Sequence, residues 1–362
     1  NNSEYFSERP LQPIADLDRT TLLREMLDEL PKGHELRRLS GDVYYDVSRL
    51  SRLFDMMKKE HIVAEDIINA ADEYIASLPE REEYIYKKKG KGYEKGDLKR
   101  AAIDDETRRM NITKAAATLF DTYVRKMRQR GWYDFNDMIL WVLDAFKEHP
   151  ALLLNYQERN QFILVDEFQD TNGSQNELLK LLTEFWDDPN IFVVGDDDQS
   201  IYEFQGARIQ NIVEFYERYK ETIKVVMLPQ NYRSSQAILD KAMAAIGQNQ
   251  QRLIHQMRDV QPDKKIVASA ERFKNGNETV VPVIREYTNI LHEEADVIMQ
   301  IEELKKNNVP LNHIAILYAQ HKQADNIIAL LERKNIPYSV KKPVNILQLP
   351  SVVQVLKLLE YL

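Results

Sequence analysis

The sequence predicts an α/β fold with a parallel sheet, joined to a helical region, and three observations carry that expectation. Phe162-Ile-Leu-Val165 is an unbroken apolar run that ends on Asp166 and Glu167, the pattern of a strand buried on both faces. From about residue 135 onward, short apolar runs alternate with helical periods, which reads as successive βαβ units with right-handed crossovers. Residues 1 to about 134 are polar and helical in period, with no convincing strand and no internal repeat.

The helical region is read first. Thr20 to Leu30 sets Leu22, Leu23, Met26, Leu27 and Leu30 on one face, and Pro31 and Gly33 close the helix. Similar periods occupy Val47–Met57 and Glu65–Leu78. Lys87 to Arg100 is a glycine-interrupted basic run with Tyr84, Tyr86 and Tyr93 around it. It reads either as a solvated loop or as a loop that tracks a nucleic-acid backbone. Its Gly90-Lys91 pair follows no strand and lacks GxxxxGK[ST] spacing, so it is no nucleotide-binding loop.

In the alternating region, Phe162–Val165 leads to a helix over Ser174–Phe185, and Asp187-Asp-Pro-Asn190 breaks that helix. Ile191–Val194 is the next strand, Ile209–Tyr219 an amphipathic helix and Val225–Leu228 a third strand. After a polar, irregular interval over 248–285, a second α/β body is expected. It has helices at Glu293–Leu304 and Gln323–Arg333, strands at Ile314–Leu317 and Tyr338–Val340, and a last helix from near Ser351.

The chain has 362 residues, more than the roughly 250–300 at which single cores stop growing, so two or more domains are expected. Hydrophobic content of 43% suffices for packed cores, while 30% charged residues and a net charge of −9 point to a soluble protein. No apolar run approaches the roughly 20 residues that span a bilayer, and the first residues form no signal peptide. The absence of cysteine excludes disulfides and cysteine-based zinc sites. It suits a reducing compartment, and a cytoplasmic location is the expectation. The acidic balance does not favour nucleic acid, although local patches decide such binding.

Each predicted strand delivers polar residues at its carboxyl end. The first delivers Asp166, Glu167, Gln169 and Asp170, the second Gly195 through Gln199 and on to Gly206, the third Gln230 through Arg233. Parallel neighbours end on one edge, where open α/β sheets bind ligands, so the three clusters are expected to share one crevice. Carboxylates for a metal, a glutamine for a water and an arginine for a phosphate are the parts of a phosphoryl-transfer site.

The segments VDEFQDTN (165–172), VVGDDDQSIYEFQGA (193–207) and LPQNYRS (228–234) resemble, in this order, motifs II, III and IV of superfamily 1 DNA helicases of the UvrD/Rep/PcrA kind. Asp134–Ile139 resembles a stretch these enzymes carry before motif II, and residues 314–340 look like the opening of their second RecA-like domain. The resemblance implies a partial RecA-like motor domain over 135–247 and the start of a second over 248–362. Residues 1–134 would be a helical subdomain inserted in the first. It implies ATP and Mg2+ as cofactors, and single-stranded DNA and single-strand/duplex junctions as partners, with protein partners unknown. It further implies a helicase moving 3′ to 5′, in repair or recombination.

Carried over residue by residue, the resemblance makes Asp166 the magnesium holder and Glu167 the general base. Gln199 becomes the γ-phosphate sensor, Arg233 the γ-phosphate contact and Tyr232 the adenine stack. Tyr202 and Phe204 would stack on bases, against an alternative of ordinary packing under the sheet edge, and Gln205 would sit at the DNA. Asp197 and Asp198 read as turn and surface residues. Gln205 stands where relatives often have arginine, Phe204 where tryptophan is common, and Arg208 where an acid is common. No GxxxxGK[ST] occurs in the sequence, nor can the family's later motifs be located. A segment of a longer enzyme, not itself ATPase-competent, is therefore the expectation. Two other readings are a non-hydrolysing helicase-like module that binds DNA or protein, and a metal nuclease whose acids hold two metals; a Glu332-x-Lys334 pair exists, but in a helical pattern far along the chain from the other acids.

Overall fold

Leucines spaced for one helical face must find a second apolar surface, and α1 (Asp16–Asp28) buries Leu22, Leu23, Met26 and Leu27 as its sequence predicts. The computed structural model describes residues 11–38, 40–200, 209–249, 265–274, 281–341 and 350–361. It divides the chain into two units, Asn1–Asn277 and Glu278–Leu362. The first helix begins four residues earlier than its apolar period. Asp16 and Asp18 occupy its first turn, where carboxylates favour the helix dipole.

In the first unit, α1 packs with α2 (Val47–Glu60) and α5 (Phe120–Gln129) around Leu50, Phe54, Met57, Tyr123 and Met127. The helices α3 (Ala64–Ser77) and α4 (Arg100–Ala117) pack on each other, with residues 78–99 as their connection. A short parallel pair, β1 (Gln12–Pro13) with β2 (Trp132–Tyr133), ties the start of the described chain to the entry of α6 (Phe135–Glu148). Helix α6 opens on a reciprocal cap: Asp134 accepts from the Asp137 N–H, and Asp137 accepts from the Asp134 N–H.

That cap lies over a buried cation. Lys58 of α2 is fully buried, and its Nζ lies 2.8 Å from Asp134 Oδ2 and 2.7 Å from Asp137 Oδ1. Arg19 of α1 reaches Asp55 at 2.7 Å and Asp134 at 3.3 Å. The Tyr123 ring sits 5.1 Å from the Lys58 ammonium. Three helices are thus joined by one network of charges.

The sheet region follows α7 (Pro150–Arg159). Strand β3 (Phe162–Val165) pairs in parallel with β4 (Asn190–Val193), Phe162 opposite Asn190 and Val165 opposite Val193, and α8 (Gly173–Thr183) makes the crossover. The expected burial of β3 on both faces is corrected. Phe162 is 70% exposed, Leu164 75% and Phe192 61%, while Ile163, Val165 and Ile191 are half-buried. Only one face of this two-stranded sheet is covered among the described residues. The other borders an open groove of about 1030 Å³ that Val226 and Leu228 also line.

Helix α9 (Ile209–Arg218) then leads to residues 224–229, which run without ladder pairing, so the strand expected at Val225–Leu228 does not form among the described residues. The pairing falls two residues later, where β5 (Gln230–Asn231) lies parallel to β6 (Val267–Ala268), with α10 (Gln236–Ile246) between them. An apolar, β-branched run marks a segment suited to a sheet, but a strand exists only where another backbone meets it.

The second unit packs Ile298 and Ile301 of the helix Ile290–Lys306 against Leu331 of the helix Asp325–Arg333, with Ile336, Ile314 and Ile316 alongside. The helix Pro350–Tyr361 is also present. No strand forms among the described residues of this unit. Ile314–Leu317 and Tyr338–Val340 run without partners, and Leu317 is 94% exposed. No helix among the described residues is long and apolar enough to cross a membrane.

Candidate functional site

The end of β3 is shaped by one aromatic anchor. The Phe168 side chain is buried and meets Phe215 of α9 edge-on at 5.3 Å. Its N–H donates to the Val194 carbonyl (2.9 Å), and the Val194 N–H donates to the Val165 carbonyl (2.8 Å). Between strand and anchor, Glu167 takes a left-handed conformation with φ 49° and ψ 45°. A non-glycine residue adopts this region at a cost and persists there only when its surroundings fix it. Asp166 and Glu167 are both exposed, so their carboxylates are open to a ligand. Asp166 Oδ1 accepts from the Glu167 N–H at 3.0 Å.

Gln169 joins the two strand ends. It is 1% exposed. Its Nε2 donates to Glu167 Oε2 at 2.7 Å, and its Oε1 accepts from the Asp196 N–H at 3.0 Å. Asp196 in turn accepts from Gln199 Nε2 at 2.7 Å and from the Asp198 N–H at 3.2 Å. A continuous hydrogen-bonded path therefore runs Glu167–Gln169–Asp196–Gln199. A side-chain amide is the group that can donate to a carboxylate and accept from a backbone N–H at once. The glycine before Asp196 is required by the same contact, because a Cβ on Gly195 would stand 2.6 Å from Gln169 Oε1.

Oxygens of Asp196, Asp197 and Asp198 lie within 4.8 Å of one another. Asp197 and Asp198 lie in the short 3-10 turn Asp197–Gln199, as read, and Asp196 accepts the bonds that shape it, but Asp197 is buried and the surface reading is corrected there.

The third cluster follows β5. Asn231 at the end of β5 accepts from the N–H groups of Arg233 (2.9 Å) and Ser234 (2.8 Å), which turns the chain sharply. Tyr232 is 62% exposed and its hydroxyl donates to Gln230. Arg233 is exposed, and its guanidinium makes no hydrogen bond or ion pair among the described residues. The structure thus links Glu167 with Gln199. No described hydrogen bond or ion pair links either of them to Tyr232 or Arg233.

Tyr202, Phe204 and Gln205 lie outside the described residues. Glu332 and Lys334 belong to the second unit, where Glu332 accepts from the Tyr338 hydroxyl and Lys334 pairs with Glu302 at 3.0 Å.

Gln169 is the residue that sequence reasoning left without a role. Its only signal was its place in the polar run after β3. Gln169→Leu keeps the size of the side chain but takes the acceptor from the half-buried Asp196 N–H and the donor from Glu167. It is expected to cost about 1–3 kcal/mol, seen as a lower denaturant midpoint at unchanged slope.

Comparison with known proteins now decides the family. Residues 11–220, more than half of the chain, match the UvrD/REP helicase N-terminal domain. The chain belongs to the UvrD/Rep helicase family. Residues 226–362 match the UvrD-like helicase C-terminal domain. Among relatives, this UvrD/Rep-family chain is 34% identical over 226 residues to the ATP-dependent DNA helicase PcrA of Leuconostoc citreum, covering 62% of this chain and 28% of that protein. It is 33% identical over 246 residues to the ATP-dependent DNA helicase PcrA of Staphylococcus aureus strain Mu50, covering 68% of this chain and 31% of the relative. The chain thus spans less than a third of the length of these curated relatives. Helicase domains of this family imply an α/β RecA-like fold, with which a helix-rich chain carrying small parallel sheets is consistent.

Proposed function

We propose that this chain serves an ATP-dependent DNA helicase, coupling ATP hydrolysis to 3′-to-5′ movement on single-stranded DNA during repair or recombination. The observation that supports this reading best is the path Glu167–Gln169–Asp196–Gln199. It connects a candidate hydrolytic carboxylate at one strand end to a candidate phosphate sensor at the next. In this reading Glu167 accepts a proton from the attacking water, and its fixed backbone and the Gln169 amide hold the carboxylate for that task. Gln199 reports occupancy of the nucleotide site through Asp196. Arg233 neutralises phosphate charge and Tyr232 offers its exposed ring to adenine. Tyr202 and Phe204 stack on bases, with Gln205 beside the strand.

Asp166 fits magnesium by its chemistry. It is an exposed carboxylate at a strand end, one oxygen is oriented by the Glu167 N–H, and oxygen is the donor that this ion prefers. Bound there, magnesium would neutralise phosphate charge. In domain terms, 1–134 is read as the inserted helical subdomain, 135–247 as part of the first RecA-like domain and 248–362 as the beginning of the second. Single-strand/duplex junctions are the proposed substrate.

Because the sequence holds no GxxxxGK[ST], ATP turnover by the 362-residue chain is expected to be weak even with single-stranded DNA present. Strand separation by an ATPase-active longer form should require a 3′ tail. Strong DNA-stimulated turnover by the 362-residue chain would contradict the expected weakness. Unwinding from a 5′ tail alone would contradict the polarity. DNA binding without hydrolysis by any form would favour a binding module.

A further inference from the structure

The turn that follows β5 is also held by residues far along the chain. The Val267 N–H donates to the Pro229 carbonyl (2.8 Å) and the Ser269 N–H to the Asn231 carbonyl (2.7 Å), which seats β6 along β5. The opposite edge of β6 is met by a side chain of α10. Gln236 Oε1 accepts from the Ala268 N–H at 2.9 Å, and its Nε2 donates to the Ile266 carbonyl at 3.2 Å. One amide thus pairs a donor and an acceptor on that edge, as a neighbouring strand would. The chain then enters the short helix Glu271–Lys274, which carries Arg272 back to the turn. Arg272 Nη2 donates to the Arg233 carbonyl at 2.7 Å, and its guanidinium lies 4.8 Å from the Phe273 ring. Both arginines belong to the first unit.

The main chain of Arg233 is therefore fixed from both sides. Its N–H donates to Asn231 Oδ1 and its carbonyl accepts from Arg272, while its guanidinium stays open. A fixed stem with an open head suits a group that must meet an anion, because less conformational freedom is lost when the anion arrives. The β5–β6 ladder and Gln236 already hold residues 266–269 without Arg272. The bond from Arg272 adds a hold on one particular residue, the candidate phosphate contact.

We propose that Arg272 is a positioning residue for Arg233. It holds the backbone from which the Arg233 guanidinium reaches the γ-phosphate of ATP, and through that hold it favours the triphosphate over the diphosphate. The donor is cationic, so it binds the carbonyl more strongly than a neutral side chain would, and the Phe273 ring keeps it in place. Arg272 itself touches no nucleotide in this arrangement. The proposal rests on the phosphate role given to Arg233 in the helicase reading.

The test has two arms. In the full 362-residue chain, amide hydrogen exchange is followed by mass spectrometry on a peptide spanning residues 231–236. Arg272→Ala should speed that exchange at an unchanged thermal midpoint, and Arg272→Lys, whose ammonium can still donate to the carbonyl, should restore part of the protection. In an ATPase-active longer form, a fluorescent nucleotide is displaced by AMP-PNP, which keeps a γ-phosphate group, and by ADP, which lacks it. Arg272→Ala should weaken AMP-PNP by about 3- to 10-fold, the share of one net hydrogen bond, and leave ADP almost unchanged. Unaltered exchange overturns the hold on the turn. Equal losses for the two nucleotides reduce Arg272 to a structural staple and overturn the positioning role. Arg233→Ala separates the two levels of the argument. If it abolishes the preference for AMP-PNP while Arg272→Ala spares it, the positioning proposal alone fails. If Arg233→Ala also spares the preference, the phosphate role of Arg233 fails and the proposal falls with it.

Discussion

Lys58→Met should lower the stability of the first unit by about 3–5 kcal/mol, because it removes the cation but leaves two carboxylates in a buried site. The methionine fills similar space, so the loss reports charge and not a cavity. Burial by itself would raise the Asp134 carboxyl, but the Lys58 charge and hydrogen bond, the Asp137 N–H and Arg19 together hold it below the usual range. Asp137 goes the other way: burial and the Asp134 charge raise it against the pull of Lys58.

The linked pH dependence has a definite sign. Asp134, depressed in the folded state, contributes stability above its unfolded value that is lost as pH falls through its folded value. Without Lys58 both carboxyls rise. Each raised group then contributes stability that is present below its unfolded value and lost as pH climbs through its folded value. The deficit of Lys58→Met should therefore be greatest near neutral pH and shrink in acid. Denaturant midpoints over a pH series measure this, and a pH-independent deficit would refute the account. Combining Lys58→Met with Asp137→Leu should recover part of the loss.

Glu167→Gln should reduce the rate of ATP hydrolysis by about 10²- to 10⁴-fold in an ATPase-active form of the protein, the usual contribution of a positioned general base. The amide is nearly isosteric and cannot take the proton. Nucleotide and DNA affinity should change little, so the effect should fall on kcat and leave KM near its original value. A fall of less than tenfold would remove Glu167 from the proton-transfer step. Folding should be preserved, since Glu167 is exposed and its bond to Gln169 can be replaced by an amide–amide bond.

Sequence showed the helical core well because its signal is local. The period of Leu22, Leu23, Met26 and Leu27 fixes a face whatever lies opposite. Strand positions were legible at Phe162–Val165 and Ile191–Val193, where two apolar runs meet in parallel register. Their burial was not, because exposure of Phe162 and Leu164 depends on what covers the far face. The same limit explains Val225–Leu228, Ile314–Leu317 and Tyr338–Val340, which have strand-like composition but no neighbouring backbone among the described residues. At the site, Asp166, Glu167 and Gln199 were visible as polar residues after apolar runs. The role of Gln169 was not, since its bond to Asp196 spans 27 positions of sequence. Likewise nothing in the sequence marks Lys58, and only its meeting with Asp134 and Asp137, more than seventy residues away, makes it a structural centre.

The left-handed backbone at Glu167 also governs how substitutions there should be interpreted. Asparagine, aspartate and glycine enter that region with little penalty, whereas valine and isoleucine resist it. A β-branched replacement would therefore disturb the Phe168 anchor and the Gln169 bridge together with the carboxylate, mixing misfolding with lost chemistry. The informative alleles at this position are those that spare the main chain. A catalogue of inactivating changes at residue 167 would overstate its chemical importance unless sorted by their tolerance for positive φ.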